Sequence, residues 1–261
     1  ATETDPDGFV RKAGEHGLGE LLRNPQTLNL LIEAVGGNAW PQSRKDTYEM
    51  ACRKLVRDPN PEHRQAKRDT PISDDTLLDA AGYLCAIQLL SGLAGYALDD
   101  SAIGAQYVGM RGLANPTKLP LIPALKTNLF QGDGEERLIP IHRSVSEYLG
   151  ARYIAGLVDH LGLPFGRVLA LMTGQDGGVV ADLRGLSAWL SVHCGTGRAA
   201  LIERDPLGVV LYGDATQFRM ADKQRIFEAM YGEAQRYPWF RSEDWSSSPF
   251  GALGTVDMAP V

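Results

Sequence analysis

One stretch of this chain, "LKTNLFQGDGEERLIPI" from Leu125 to Ile141, carries the marks of β structure; elsewhere apolar residues recur at helical spacing almost throughout. Two short runs flank Gly132, Asp133 and Gly134, the pattern of a small hairpin, and Pro140 suits an edge position. A hairpin set among helices in the middle third predicts a winged-helix unit. The expected fold is mainly α: a helical bundle, a winged-helix unit with one small β-hairpin, then α-solenoid-like helix pairs.

The punctuation divides the chain into 1–70, 71–161 and 162–261. Short helices are expected over Phe9–His16 and Leu18–Arg23, and Pro25 fits the first turn of a helix over Gln26–Val35. Ser43 is a candidate N-cap for a helix reaching about Arg57, with Asp46 in its first turn. The polar segment "DPNPEHRQAKRDTPIS" holds Pro59, Pro61 and Pro71 and reads as a linker. Ser73 then caps a long apolar helix, and another helix runs from Val145 to Leu161 until Gly162 and Pro164 break it. Helices alternate with Gly, Pro and Asp loops in the remainder, without a clean internal period, as in a HEAT-like repeat region.

A net charge of −6 disfavours nucleic acid as a partner, because phosphate binding needs a concentrated positive surface. The hairpin tip points the same way: Asp133, Glu135 and Glu136 would repel phosphates despite Arg143 and Arg152 on the following helix. Cys52, Cys85 and Cys194 lie far apart with no CxxC, which predicts buried thiols, no disulfide framework and no metal site. No apolar run approaches the ~18 residues that span a bilayer, and no signal peptide is visible, so a cytoplasmic protein with no membrane partner is expected. The start "ATETDPDGF" lacks an initiator Met, which suggests a piece of something longer.

Catalytic chemistry finds no support. Nucleotide hydrolysis needs GxxxxGK[ST] between a strand and a helix, and no such segment occurs. "SGLAGYAL" at 91–98 has no lysine and reads as close helix packing, while "GTGR" at 195–198 reads as a helix stop. Ser144 and Ser146 point apart on a helix, His142 and Glu147 are poorly placed for a direct pair, and GxSxG is absent. Asp205 and Asp214 in "RDPLGVVLYGD" fit turns better than a metal site. Trp189, beside Leu186 and Leu190, reads as core. Neither catalytic nor metal-ligating residues are assigned.

His142 remains. It ends the apolar run "LIPI" and stands directly before a helix, where backbone amides favour anions and an imidazole N–H can meet an oxyanion. The segment "IHRSVSEYLGARYIAGLV" resembles the motif near the end of the winged-helix domain of NACHT-type STAND NTPases. His142 matches the family's histidine, Glu147 its glutamate, Tyr148 its aromatic and Ala151 its second alanine; Ser146 and Gly150 depart from the usual Gln and Ala. Upstream, "LLRNPQTLNLLIEAVGGNAWPQSRKDTYEMACRKLV" is similar to the family's first helical domain, with Pro25 at its proline and Pro41 to Arg44 at a helix start. The resemblance spans roughly residues 9 to 160.

That resemblance implies that the histidine meets the β-phosphate of ADP and the proline the adenine, so His142 and Pro25 are the candidate nucleotide-binding residues. It further implies a regulatory, non-catalytic portion of a signal-transducing switch, with ADP/ATP bound only in a full-length parent and none held tightly by this chain alone. The implied partners are an upstream nucleotide-binding domain of the same polypeptide and a protein ligand on the helical repeats, in antiviral defence or signalling. The competing reading is a helical scaffold that binds proteins and has no nucleotide link. A capping or wing-packing role for His142, and a first-turn helix role for Pro25, stay open beside the nucleotide reading.

Overall fold

The computed structural model describes residues 5–16, 18–22, 25–35, 39–57, 72–134, 136–236, 253–254 and 258. The linker expected around Pro59, Pro61 and Pro71, and Trp239 and Trp245, lie outside the described residues. Among the described residues the chain is mainly helical with one small sheet. No helix there is long and apolar enough to cross a membrane.

Three helices come first: α1 (Pro6–Glu15), α2 (Pro25–Val35) and α3 (Arg44–Leu55). Pro25 starts α2, where its missing N–H is no loss. Ser43 caps α3 by accepting from the Asp46 amide at 3.1 Å. Ser73 caps α4 (Asp74–Leu90) in the same way through Thr76.

Helix α4 pairs antiparallel with α6 (Arg143–Asp159), and together they form the centre of the fold. Both bury residues on several sides: Leu78, Leu84, Cys85 and Leu89 on α4, and Val145, Tyr148, Leu149 and Ile154 on α6. Such all-round burial is expected of a central helix rather than a surface one. Glycines let the two backbones meet. A Cβ on Gly82 would stand 2.7 Å from the Leu149 carbonyl oxygen and 2.8 Å from Tyr153 Cβ. Gly82→Ala should therefore cost about 1–3 kcal/mol through overpacking. Gly14→Ala on α1, where nothing lies within 4 Å, should stabilise by roughly 0.5–1 kcal/mol. Denaturant midpoints check both, and equal effects at the two positions would refute the close-packing account.

Between α4 and α6 lie β1 (Gly95–Ala97), β2 (Tyr107–Gly109), the short helix α5 (Leu121–Leu125), β3 (Phe130–Gly132) and β4 (Arg137–Pro140). The expected hairpin is present as β3–β4, with Gly134 and Glu136 at positive φ in its turn. It is not the only β structure. The sheet has four strands in the order β2-β1-β4-β3, with β1 parallel to β2 and antiparallel to β4. Two expectations are corrected accordingly. Strand β4 is internal, and Pro140 is tolerated because the pairing with β1 covers only Arg137 and Leu138. "SGLAGYAL" does not pack helices: it leaves α4 through Gly92 at φ 64° and becomes β1. Gly95 is needed there because a Cβ would stand 2.2 Å from the Leu138 carbonyl oxygen.

After α6 come α7 (Phe165–Met172), α8 (Arg184–His193), α9 (Arg198–Arg204), α10 (Pro206–Tyr212) and α11 (Met220–Arg236). Asp205 and Asp214 bracket α10 and both serve packing. Asp205 accepts from Gly208 N and takes the Arg184 guanidinium at 2.8 and 2.9 Å. Buried Asp214 accepts the Lys45 amide at 2.7 Å and so fastens the start of α3. One apolar cluster runs from Leu30 through α3, α4, α6 and α8 to Leu253. A smaller one joins Ala13, Leu18 and Leu31, with Phe9 and Trp40 against it. All three cysteines are buried and free, in line with their spacing.

Candidate functional site

The turn between β4 and α6 is built by long-range pairing rather than by local preference. Ile141 N donates to Leu129 O at 2.9 Å, which closes the hairpin, and the chain then enters α6 at His142. His142 occupies the N-cap position in extended backbone, φ −149° and ψ 144°, and its carbonyl accepts from Ser146 N at 3.1 Å. Its side chain does not cap the helix. The imidazole forms no hydrogen bond or ion pair among the described residues. Partial burial pushes its pKa below the ordinary histidine range, so the ring is neutral near pH 7. By helix geometry the amides of the first turn have no intrahelical acceptor, and a 17-residue helix stands behind them.

The residues after His142 are committed to packing. Arg143 Nε meets Glu147 at 3.0 Å, and its guanidinium also donates to the Asp182 carbonyl oxygen. Glu147 is held between this arginine and the first turn of α8, where a Cβ on Gly185 would stand 2.2 Å from its carboxylate. Burial raises the Glu147 pKa, and the charges of Arg143 and Arg44 oppose that rise. Ser146 Oγ donates to Gln88 at 2.9 Å, while the Ser144 hydroxyl is buried without a partner. The two serines therefore share no site. Tyr148 is buried, and its hydroxyl donates to Glu49 at 2.7 Å.

Pro25 is exposed at the head of α2. Helix α2 packs on α3, and α3 in turn on α4 and α6, so no described contact brings Pro25 and His142 together. An open cleft of about 440 Å³ lies at the other end of α6, lined by Asp79, Arg152, His160 and His193 among others. Its charges are already engaged: Arg152 pairs with Asp79 at 2.9 Å, and Asp159 accepts from Gly195 N and Thr196 N. No group of three or more His, Cys, Asp or Glu side chains among the described residues is placed to hold a metal ion.

Sequence reasoning missed the aromatic junction of α3, α6 and α8. Trp189 contacts Tyr48 at 4.9 Å and Tyr148 at 5.0 Å between ring centroids, and His193 packs edge-on against Tyr148 at 5.0 Å. The Arg44 guanidinium lies over the Trp189 ring at 5.8 Å. Nothing in the spacing of these residues pairs them; only the apolar face that carries Trp189 was readable. Comparison of the chain with models of protein families, with curated proteins and with solved structures returns no match.

Proposed function

We propose that this chain is the regulatory portion of a NACHT-like STAND NTPase, in which His142 helps to hold ADP against an upstream nucleotide-binding domain. The observation that carries the reading is the His142 imidazole: it sits at the start of a long helix and bonds to none of the described residues. A histidine serving only the fold would be expected to cap the helix or to bond within it. The order helix, two short strands, short helix and hairpin, with β4 between β1 and β3, further supports a winged-helix unit behind that residue, β2 being an added edge strand. Pro25 supports the reading less, because an N1 proline explains itself. In such a switch, holding ADP favours the closed state, and sensing shifts the population toward an open, oligomerising one.

The alternative is a helical scaffold for protein partners. It is favoured by exposed apolar side chains away from His142, such as Leu161 at 71%, Leu171 at 62% and Tyr231 at 68%. The gene upstream of Ala1 separates the two readings: a GxxxxGK[ST] segment is expected under the first and absent under the second.

The chain alone should neither hydrolyse ATP nor bind ADP tightly, and calorimetry finding micromolar ADP affinity would contradict this. In the full-length parent, one partly charge-assisted hydrogen bond to a diphosphate is worth roughly 1.5–3 kcal/mol. His142→Ala should therefore speed ADP release about tenfold or more and raise the open population. The melting temperature of the chain itself should hardly move, since no bond to a described residue is lost. Unchanged ADP retention in the parent, together with a destabilised chain, would make His142 a structural residue.

A further inference from the structure

Among the described residues, five buried side-chain polar atoms have no hydrogen-bond partner: Arg44 Nε, Tyr48 OH, Ser144 Oγ, Ser187 Oγ and His193 Nε2. Their distribution is uneven. Arg44, Tyr48 and His193 all pack around Trp189, and Ser144 lies one turn ahead of Tyr148 on the same face of α6. Three of the five thus gather where α3 meets α6 and α8, and Ser144 lies one turn from that point along α6. Ser187 is the exception, two residues from Trp189 and so on another side of α8.

Buried polar groups in folded proteins are nearly always paired, and leaving one unpaired is costly. A junction that concentrates them gains less from staying closed than its buried area suggests, because water would satisfy each atom on opening. The bonds that join α3 to the body are polar. Those at its C-terminal end are the solvent-exposed ion pairs Arg53 to Asp75 at 2.8 Å and Arg57 to Asp74 at 2.9 Å, with Asn128 N donating to Leu55 O at 3.1 Å. Arg44 Nη1 donates to the Leu211 and Gly213 carbonyls at 3.0 and 3.3 Å, Lys45 N donates to Asp214, and Tyr148 OH donates to Glu49. Apolar contact through Tyr48, Ala51 and Cys52 supplies the rest. Helices α1 and α2 are joined to the remainder chiefly through α3.

We propose that the junction of α3 with Tyr148 and Trp189 is an opening seam, along which α1, α2 and α3 part from the α4–α6–α8 body as a unit without global unfolding. The opening uncovers an aromatic surface made of Tyr48, Tyr148 and Trp189. It also frees Arg44 from the neighbourhood of Glu147, five residues beyond His142. The seam stands on packing alone and holds whether or not His142 meets a nucleotide.

Hydrogen exchange on the full chain tests it. Amides of α3 should exchange together, at least about tenfold faster than those of Leu84–Leu89 in α4, through a sub-global opening. Tyr48→Phe removes an unpaired hydroxyl and keeps the ring, so it should slow α3 exchange several-fold and leave α4 unchanged. Tyr148→Phe removes a paired hydroxyl, breaks its bond to Glu49 across the seam, and should accelerate α3 exchange. Both substitutions keep the aromatic packing and hence the fold. Exchange of α3 and α4 at one common rate, or Tyr48→Phe accelerating α3 as Tyr148→Phe does, overturns the proposal.

Discussion

Trp189→Ala should lower the stability of this protein by about 3–5 kcal/mol, the range for a large aromatic removed from a packed interior. Trp189 is 1% exposed and touches residues of three helices: Tyr48 and Arg44 on α3, Tyr148 on α6 and His193 on α8. The neighbours cannot collapse into the space, because Tyr148 is tied to Glu49 and Arg44 to the carbonyls of Leu211 and Gly213. A cavity therefore persists and adds to the lost transfer energy. Typical domains hold only about 5–15 kcal/mol in total, so the variant should sit close to its unfolding threshold. Trp40, in the smaller N-terminal cluster with Phe9 and His16, gives the control. Urea titrations that find Trp40→Ala as damaging as Trp189→Ala would mean that the three-helix junction is not the keystone of the core.

Helix starts were readable in the sequence because their determinants are local. Ser43 and Ser73 cap the helices they were expected to cap, and Pro25 opens α2. The β3–β4 hairpin was readable for the same reason, since its turn residues sit between its own strands. Strands β1 and β2 were not. Each is three residues long, too short to show alternation, and each exists because a distant segment pairs with it. The sequence around Gly95 carries a glycine but no sign of Leu138, the residue whose carbonyl requires it. At the candidate site the same division holds. A helix beginning just after His142 was legible, whereas the commitment of Arg143 and Glu147 to Asp182 and Gly185 depends on where α8 lands. Arg44, Tyr48 and His193 belong to one junction only through tertiary packing, and no spacing along the chain announces it.

Acid should weaken this protein well above the pH at which carboxylates protonate, and His193 is the cause. Burial, reinforced by the charges of Lys45 and Arg152, lowers its pKa from 6.5 to about 3. The unfolded chain therefore binds one more proton than the folded one between those two values. The stabilisation is complete above pH 6.5 and declines as pH falls toward 3, by about 1.4 kcal/mol per unit. Between pH 6.5 and 5 the loss from this residue should be about 2 kcal/mol. His142 is shifted in the same direction and adds to the decline, whereas Glu147, whose pKa is raised, contributes the opposite sign, because as pH falls its folded carboxyl takes up a proton before the unfolded one does. Comparison of two chains removes these shared contributions. His193→Gln keeps a polar group of similar reach that does not titrate, so the gap between wild type and variant should close as pH falls from 7 to 5. Nuclear magnetic resonance supplies the residue-specific check: the ring protons of His193 should not move above about pH 4. A His193 titration midpoint near 6.5, or parallel stability curves for the two chains over this range, would mean that the ring is solvated and that α8 does not close over it.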